Sequence, residues 1–378
     1  MLNQLRNLWL HTAVQKGTRI GFPTESSHPY AKVIETIKVG KSPGIIVINP
    51  KTNRIYVIIT EFLDGANVAL AIINGNNNKV IKMLKLRDEA ISMAINQTTN
   101  RIYISQRNSV AVINGFTNKI EAEIKVGDFP TNIVVNPITN RIFVANVNDG
   151  SISVIDGTNN KVISVIKVTQ GTSQLAINTK ANRIYANSGE NNVMFVINGS
   201  TNKIITTIKV GASNYKIEFD PITNRIYIAT GLGRALTVIN ALNNRLIKKI
   251  KLTITDFALN TKTNKIYTTD INEVGTKFLV GKINVIHGRT FNVIKTISAN
   301  GRGTNFVAVN RNTNHIFAIN LLSDTVAAVD GRTNTRFATI KVGGSPGYVA
   351  INESTNRVYV SNVVDKTISV IQDARGKV

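Results

Sequence analysis

The stretch Asn49-Pro50-Lys51-Thr52-Asn53-Arg54-Ile55-Tyr56-Val57 decides the fold, because it recurs. Further copies centre on Asn100, Asn140, Asn182, Asn224, Asn264, Asn314 and Asn356, at steps of 47, 40, 42, 42, 40, 50 and 42 residues. A fixed period of this length marks an architecture in which each repeat is one supersecondary unit that buries its apolar face only against its neighbours.

Residues 43–86 give the clearest unit. Ile45–Ile48 is a short apolar run suited to a buried strand, and Asn49–Asn53 supplies turn chemistry. Asn closes a turn with its own side chain, Pro fixes φ, and a second Asn tolerates the left-handed region. Arg54–Ile59 follows as a strand rich in β-branched and aromatic residues, and Ala69–Ile73 is a third. Asn74-Gly75 turns into a fourth strand, Lys79–Leu86, with a lysine-rich face. Four hairpin-joined strands per period are the content of a propeller blade. The third-strand turn repeats as Asn114-Gly115, Asp156-Gly157, Asn198-Gly199, His287-Gly288 and Asp330-Gly331; one copy reads Asn240-Ala241, and its Ala is expected to sit less comfortably.

The ends argue for a ring. Lys32–Gly40 matches the fourth-strand pattern with no first three strands before it, and the last unit stops after three, from Gly347 to Ile371. The expectation is therefore an all-β, closed β-propeller over residues 32–378, with 32–39 completing the C-terminal blade. The count of repeats gives eight blades, with seven as the alternative because the sixth and seventh units are irregular. Residues 1–31 stand outside the repeat, and Leu2, Leu5, Leu8, Trp9 and Leu10 would suit a short amphipathic helix.

Pro137–Asn146, Ser153–Gly157 and Tyr359-Val360-Ser361-Asn362 resemble the YVTN-type β-propeller repeat of archaeal surface-layer and bacterial envelope proteins. The resemblance spans about residues 32–372. It implies an extracytoplasmic address, on the cell surface or in the periplasm, although no clear signal peptide is present. It supplies no catalytic motif.

Two repeated features invite a functional reading. An aromatic slot in the second strand holds Tyr56, Tyr103, Phe143, Tyr185, Tyr227, Tyr267, Phe317 and Tyr359, read here first as inter-blade core. The residue after the repeated Asn is a cation: Arg54, Arg101, Arg141, Arg183, Arg225, Lys265, His315 and Arg357. Lys79, Lys119, Lys161, Lys203 and Arg245 open fourth strands on the same face, so two concentric basic rings are expected there. Solvent-facing guanidinium groups would favour polyanion binding, and buried, paired ones a structural role. On the opposite face the loops differ between blades, where a rigid scaffold carries a ligand site. Candidates there are Asp64, Arg87, Asp149, Glu190, Arg234, Glu273, Arg302, Asp324 and Asp365.

Composition narrows the chemistry. The 378 residues carry 45 Lys+Arg against 22 Asp+Glu, a formal charge of +23, which attracts polyanions. Zero cysteines exclude disulfides, thiolate catalysis and cysteine-ligated metals. No apolar run is long enough to span a bilayer. Four histidines, His11, His28, His287 and His315, show no metal-ligand spacing, and no nucleophile elbow or phosphate loop is present. The leading expectation is thus a monomeric, non-catalytic binding scaffold of the cell envelope without cofactor, whose partner is a protein, polysaccharide or nucleic acid. The alternatives are a polyanion binder working through the Arg/Lys rings, and a propeller lyase or hydrolase with a central-funnel site.

Overall fold

The computed structural model describes residues 29–60, 68–211, 215–231, 234–271, 273–274 and 277–375. Eight four-stranded antiparallel sheets hold every described strand except one two-stranded hairpin, which settles the blade number at eight. Blade 1 is Ser42–Asn49, Arg54–Thr60, Ala69–Asn74 and Lys79–Lys85, paired in chain order, and blades 2 to 7 repeat that order. The eighth sheet combines Pro346–Asn352, Arg357–Asn362 and Thr367–Arg375 with an outermost strand, Pro29–Lys38, from the other end of the chain. The amphipathic helix expected around Leu2–Leu10 lies outside the described residues, and residues 29–31 of the N-terminal segment are strand. Among the described residues, no helix is long and apolar enough to cross a membrane.

The repeated motif proves to be the bond between blades. Every repeated Asn, from Asn53 (φ 47°) to Asn356 (φ 50°), lies in the left-handed region, where Asn is tolerated far better than a branched residue. In six blades the Asn ending the first strand plays two roles. Asn49 Oδ1 accepts from the Lys51 amide at 3.1 Å, closing its own turn, and its Nδ2 donates to Asn100 Oδ1 of blade 2 at 2.7 Å. The same link joins Asn96 to Asn140, Asn136 to Asn182, Asn260 to Asn314 and Asn310 to Asn356. Asn352 closes the circuit onto Asn53 at 2.8 Å.

Packing follows the same period. The second-strand aromatics are buried between blades, with Tyr56, Tyr103 and Phe143 fully inaccessible, so the slot is inter-blade core. Burial pushes the Tyr56 phenol up to about 12, with Arg54 opposing. Asn146, at the end of a second strand, donates to Ser151 and Ser153 of the neighbouring strand, each at 3.0 Å. A Cβ at Gly127 would lie 2.7 Å from that Asn146 side chain, which explains the Val-Gly pair entering the blade. The glycine of the outer turn has a similar reason. A Cβ at Gly75 would lie 2.1 Å from Asn53 Oδ1, whereas the left-handed residue of that turn is Asn78 (φ 56°). Ala241 keeps the corresponding amide bond, to Asn224 O at 2.9 Å, and is buried in the core. The turn itself therefore accommodates alanine.

Candidate functional site at the propeller axis

The first strands contact one another around the inside of the ring, so their side chains meet at the axis. Four residues before the closing Asn or Asp of each first strand stand Ile45, Ser92, Asn132, Gln174, Lys216, Asp256, Phe306 and Tyr348. Elsewhere the blades repeat one another; here each differs. Two residues further along, Val47, Ala94, Val134, Ala176, Ala258, Ala308 and Ala350 leave Glu218 as the one charged side chain.

Blades 5 to 8 turn these differences into a connected wall. Lys216 Nζ lies 2.7 Å from Asp256 Oδ1, 2.6 Å from the Phe257 carbonyl and 3.1 Å from Glu218 Oε1. Asp256 Oδ2 accepts from the Val307 amide of the next blade at 3.0 Å. Phe306 and Tyr348 then stack, with ring centroids 5.0 Å apart and planes at 27°. On the other side, Asn132 accepts from the Leu175 amide at 3.1 Å. The Lys216 and Glu218 side chains keep 28% and 33% of their surface open, against 9% for Asp256, so the pair reaches the axial solvent.

Electrostatics separates the two partners. Burial raises the Glu218 pKa, opposed by Lys216, so this carboxyl holds its proton above the usual carboxylate range. For Lys216 burial alone would lower the pKa, but Asp256 and Glu218 together outweigh it and hold the ammonium charged. Burial likewise raises Tyr348. A fixed ammonium, a carboxyl whose pKa is raised and an aromatic wall can orient a small molecule and exchange a proton with it.

Most inner cations of the expected basic rings bond to a neighbouring blade. Arg101 donates to the Gly157 carbonyl of the next blade and pairs with Glu121 at 2.8 Å. Arg183, Arg225, Lys265 and Arg357 donate to Ala241, Gly288, Gly331 and Gly75 in the same manner, and Arg141 pairs with Asp156 at 3.0 Å. Arg54 is half-buried at the equivalent place. At the blade 7–8 boundary His315 replaces the Arg and Asp373 the Gly, and their buried side chains meet at 2.5 Å. Lys79, Lys119, Lys161, Lys203 and Arg245 are exposed on the outer strands, apart from the inner cations. Most inner guanidinium groups are thus engaged by neighbouring blades, and the outer cations face solvent.

The loop-face candidates do not converge either. Asp149 Oδ2 accepts from the Asp128 amide at 2.7 Å, Asp365 from Gly344 at 2.8 Å and Asp324 from Ser345 at 2.8 Å. These carboxylates fix the entry loops of their blades. Arg87, Glu190, Arg234 and Arg302 are exposed on separate blades, while Asp64 and the Glu273 side chain lie outside the described residues. The axial residues were missed because the repeat was read for what recurs; alignment of the eight first strands on their closing Asn singles out Glu218 without coordinates.

No family model matches the chain, and no curated protein does. Among solved structures it is similar to dihydro-heme d1 dehydrogenase NirN in complex with DHE, at TM-score 0.68 and 13% identity over 90% of this chain and 78% of that one. It is also similar to hydrazine synthase of Kuenenia stuttgartiensis, at TM-score 0.58 and 14% identity over 90% and 98%. These likenesses carry the fold. They also correct the expectation of an envelope scaffold, since both named propellers belong to enzyme-related proteins. Among the described residues no group of three His, Asp or Glu side chains could hold a metal ion.

Proposed function

We propose that this propeller binds a small, flat organic molecule at its axis and exchanges a proton with it through Glu218. The observation that carries this reading is the break in eightfold repetition. At a position otherwise filled by Val or Ala, blade 5 places a carboxyl beside a fixed ammonium, and blades 7 and 8 supply stacked aromatic rings. Phe306 and Tyr348 offer a flat apolar face, and Lys216 and Glu218 a polar edge for a carboxylate or carbonyl.

The name of the first neighbour speaks of a dihydro-heme, so a tetrapyrrole is the first probe to try. The axial residues suit its organic face and acidic edge. They do not supply a histidine for its iron: His315 is held by Asp373, and His287 lies in an outer turn. No step through iron is therefore derived. As to lineage, the motif Tyr359-Val360-Ser361-Asn362 and its copies support kinship with the YVTN-type propellers.

Absorbance titration with metal-free protoporphyrin IX tests the proposal. Saturable binding at one molecule per chain is expected, weakened at least about tenfold in Tyr348→Ala and in Lys216→Met, by analogy with loss of one stacking or charged contact. Binding unchanged in both variants, or none by planar acids of this kind, would sink it.

A further inference from the structure

We infer a second ligand site, on the variable loop face between blades 2 and 3, for a small zwitterionic amine of amino-acid size. A cavity of about 410 Å³ opens there, lined by Asp88, Glu89, Ile91, Arg107, Asp128, Phe129 and Asn148. That volume falls in the range of small-molecule sites. The inference does not depend on the axial reading, because the two sites share no residue.

The lining carries both signs of charge and an aromatic platform. Phe129 is 41% exposed at the cavity, in the loop that enters blade 3. Its counterparts in the loops entering blades 1 and 8 are Ser42 and Ser345, each followed by Pro as Phe129 is. A large ring thus replaces a small polar side chain at this one entry, against the tendency to bury such rings. Ile91 extends the apolar wall. Asp128, which lines the cavity, accepts from Asn148 Nδ2 through Oδ2 at 2.9 Å. The Glu89 amide donates to Asp88 Oδ1 at 2.9 Å, and the Glu89 and Arg107 side chains carry no hydrogen bond or ion pair to another described residue.

The backbone around the cavity is fixed. Phe129 donates to the Arg107 carbonyl at 3.1 Å and accepts from the Val147 amide at 3.1 Å; Asp88 donates to Gln106 Oε1 at 2.9 Å. A ligand ammonium would meet Asp128 and Glu89 with the Phe129 ring beside it, the arrangement that favours cations. A ligand carboxylate would meet Arg107, whose planar fork suits it. The remaining apolar part would rest on Phe129 and Ile91. A simple cation would leave Arg107 without a purpose, and a simple anion would face three carboxylates.

Isothermal titration calorimetry on the full chain decides the matter, using leucine, lysine and phenylalanine beside the matched amines that lack the carboxylate. One amino acid is expected to bind at one per chain, at least tenfold tighter than its amine. Phe129→Ser, which restores the residue of the sister loops, and Arg107→Gln should each weaken it at least tenfold, with thermal unfolding of Phe129→Ser as a check on folding. Glu218→Gln should leave it unchanged. Absence of binding at millimolar concentration, amines that bind as tightly as amino acids, or full affinity in both variants would each overturn the inference.

Discussion

Glu218 occupies a place where seven sister blades carry Val or Ala, and a charged group there must be held against its own desolvation. Lys216 holds it at 3.1 Å, yet burial still raises its pKa above the usual 4.5. A carboxyl with a higher pKa folded than unfolded binds its proton more tightly in the folded state. Its stabilising contribution is complete at acid pH and drains away as pH rises from 4.5 through the raised folded value. Urea denaturation across that window should show Glu218→Gln gaining stability relative to the parent as pH climbs. A difference independent of pH would show that this carboxyl titrates normally. Arg101 illustrates the opposite case: a charge that repeats in most blades and is bonded to the next blade's turn carbonyl is framework.

At the scale of the element, the turn between first and second strands was legible because its chemistry is local. Left-handed backbone needs Asn, and the closing Asn both caps its turn and grips the next blade. The glycine of the outer turn was legible in place but not in cause, since a close approach to Asn53 is invisible along the chain. Entry loops obey similar long-range constraints. A Cβ on Gly127 would fall 2.4 Å from Asp149 Oδ2 and 2.7 Å from Asn146, so Gly127→Ala should destabilise by about 1–3 kcal/mol. Gly44→Ala, whose Cβ would meet the Ile58 carbonyl at 3.6 Å, should stay within about 0.5 kcal/mol of the parent. Equal urea midpoints for the two variants would refute the close contact. The axial wall was not read from the sequence for a related reason. Lys216, Asp256, Phe306 and Tyr348 lie in different repeats, and only the ring brings them together.

For the whole molecule, eight sheets and a complete circuit of neighbouring blades follow from the count of the motif. The strand Pro29–Lys38 pairs with Thr367–Arg375, and Ile37 and Val39 are buried with Tyr359, Ile368 and Val370. If this pairing holds the ring shut, a chain beginning at Gly40 should lose at least about 3 kcal/mol from those two side chains alone. It should also self-associate through the bared edge of Thr367–Arg375, seen as concentration-dependent sedimentation. An unchanged denaturation midpoint would show that the strand is dispensable. The functional account rests on a different property of the ring, the axis where repetition stops. A crystal structure of the chain saturated with protoporphyrin IX tests it most directly. One molecule on the axis, against the Tyr348 ring and within hydrogen-bonding reach of Lys216 or Glu218, is the predicted result; a molecule seated on the outer strands or the loop face, with the axis open, would contradict it.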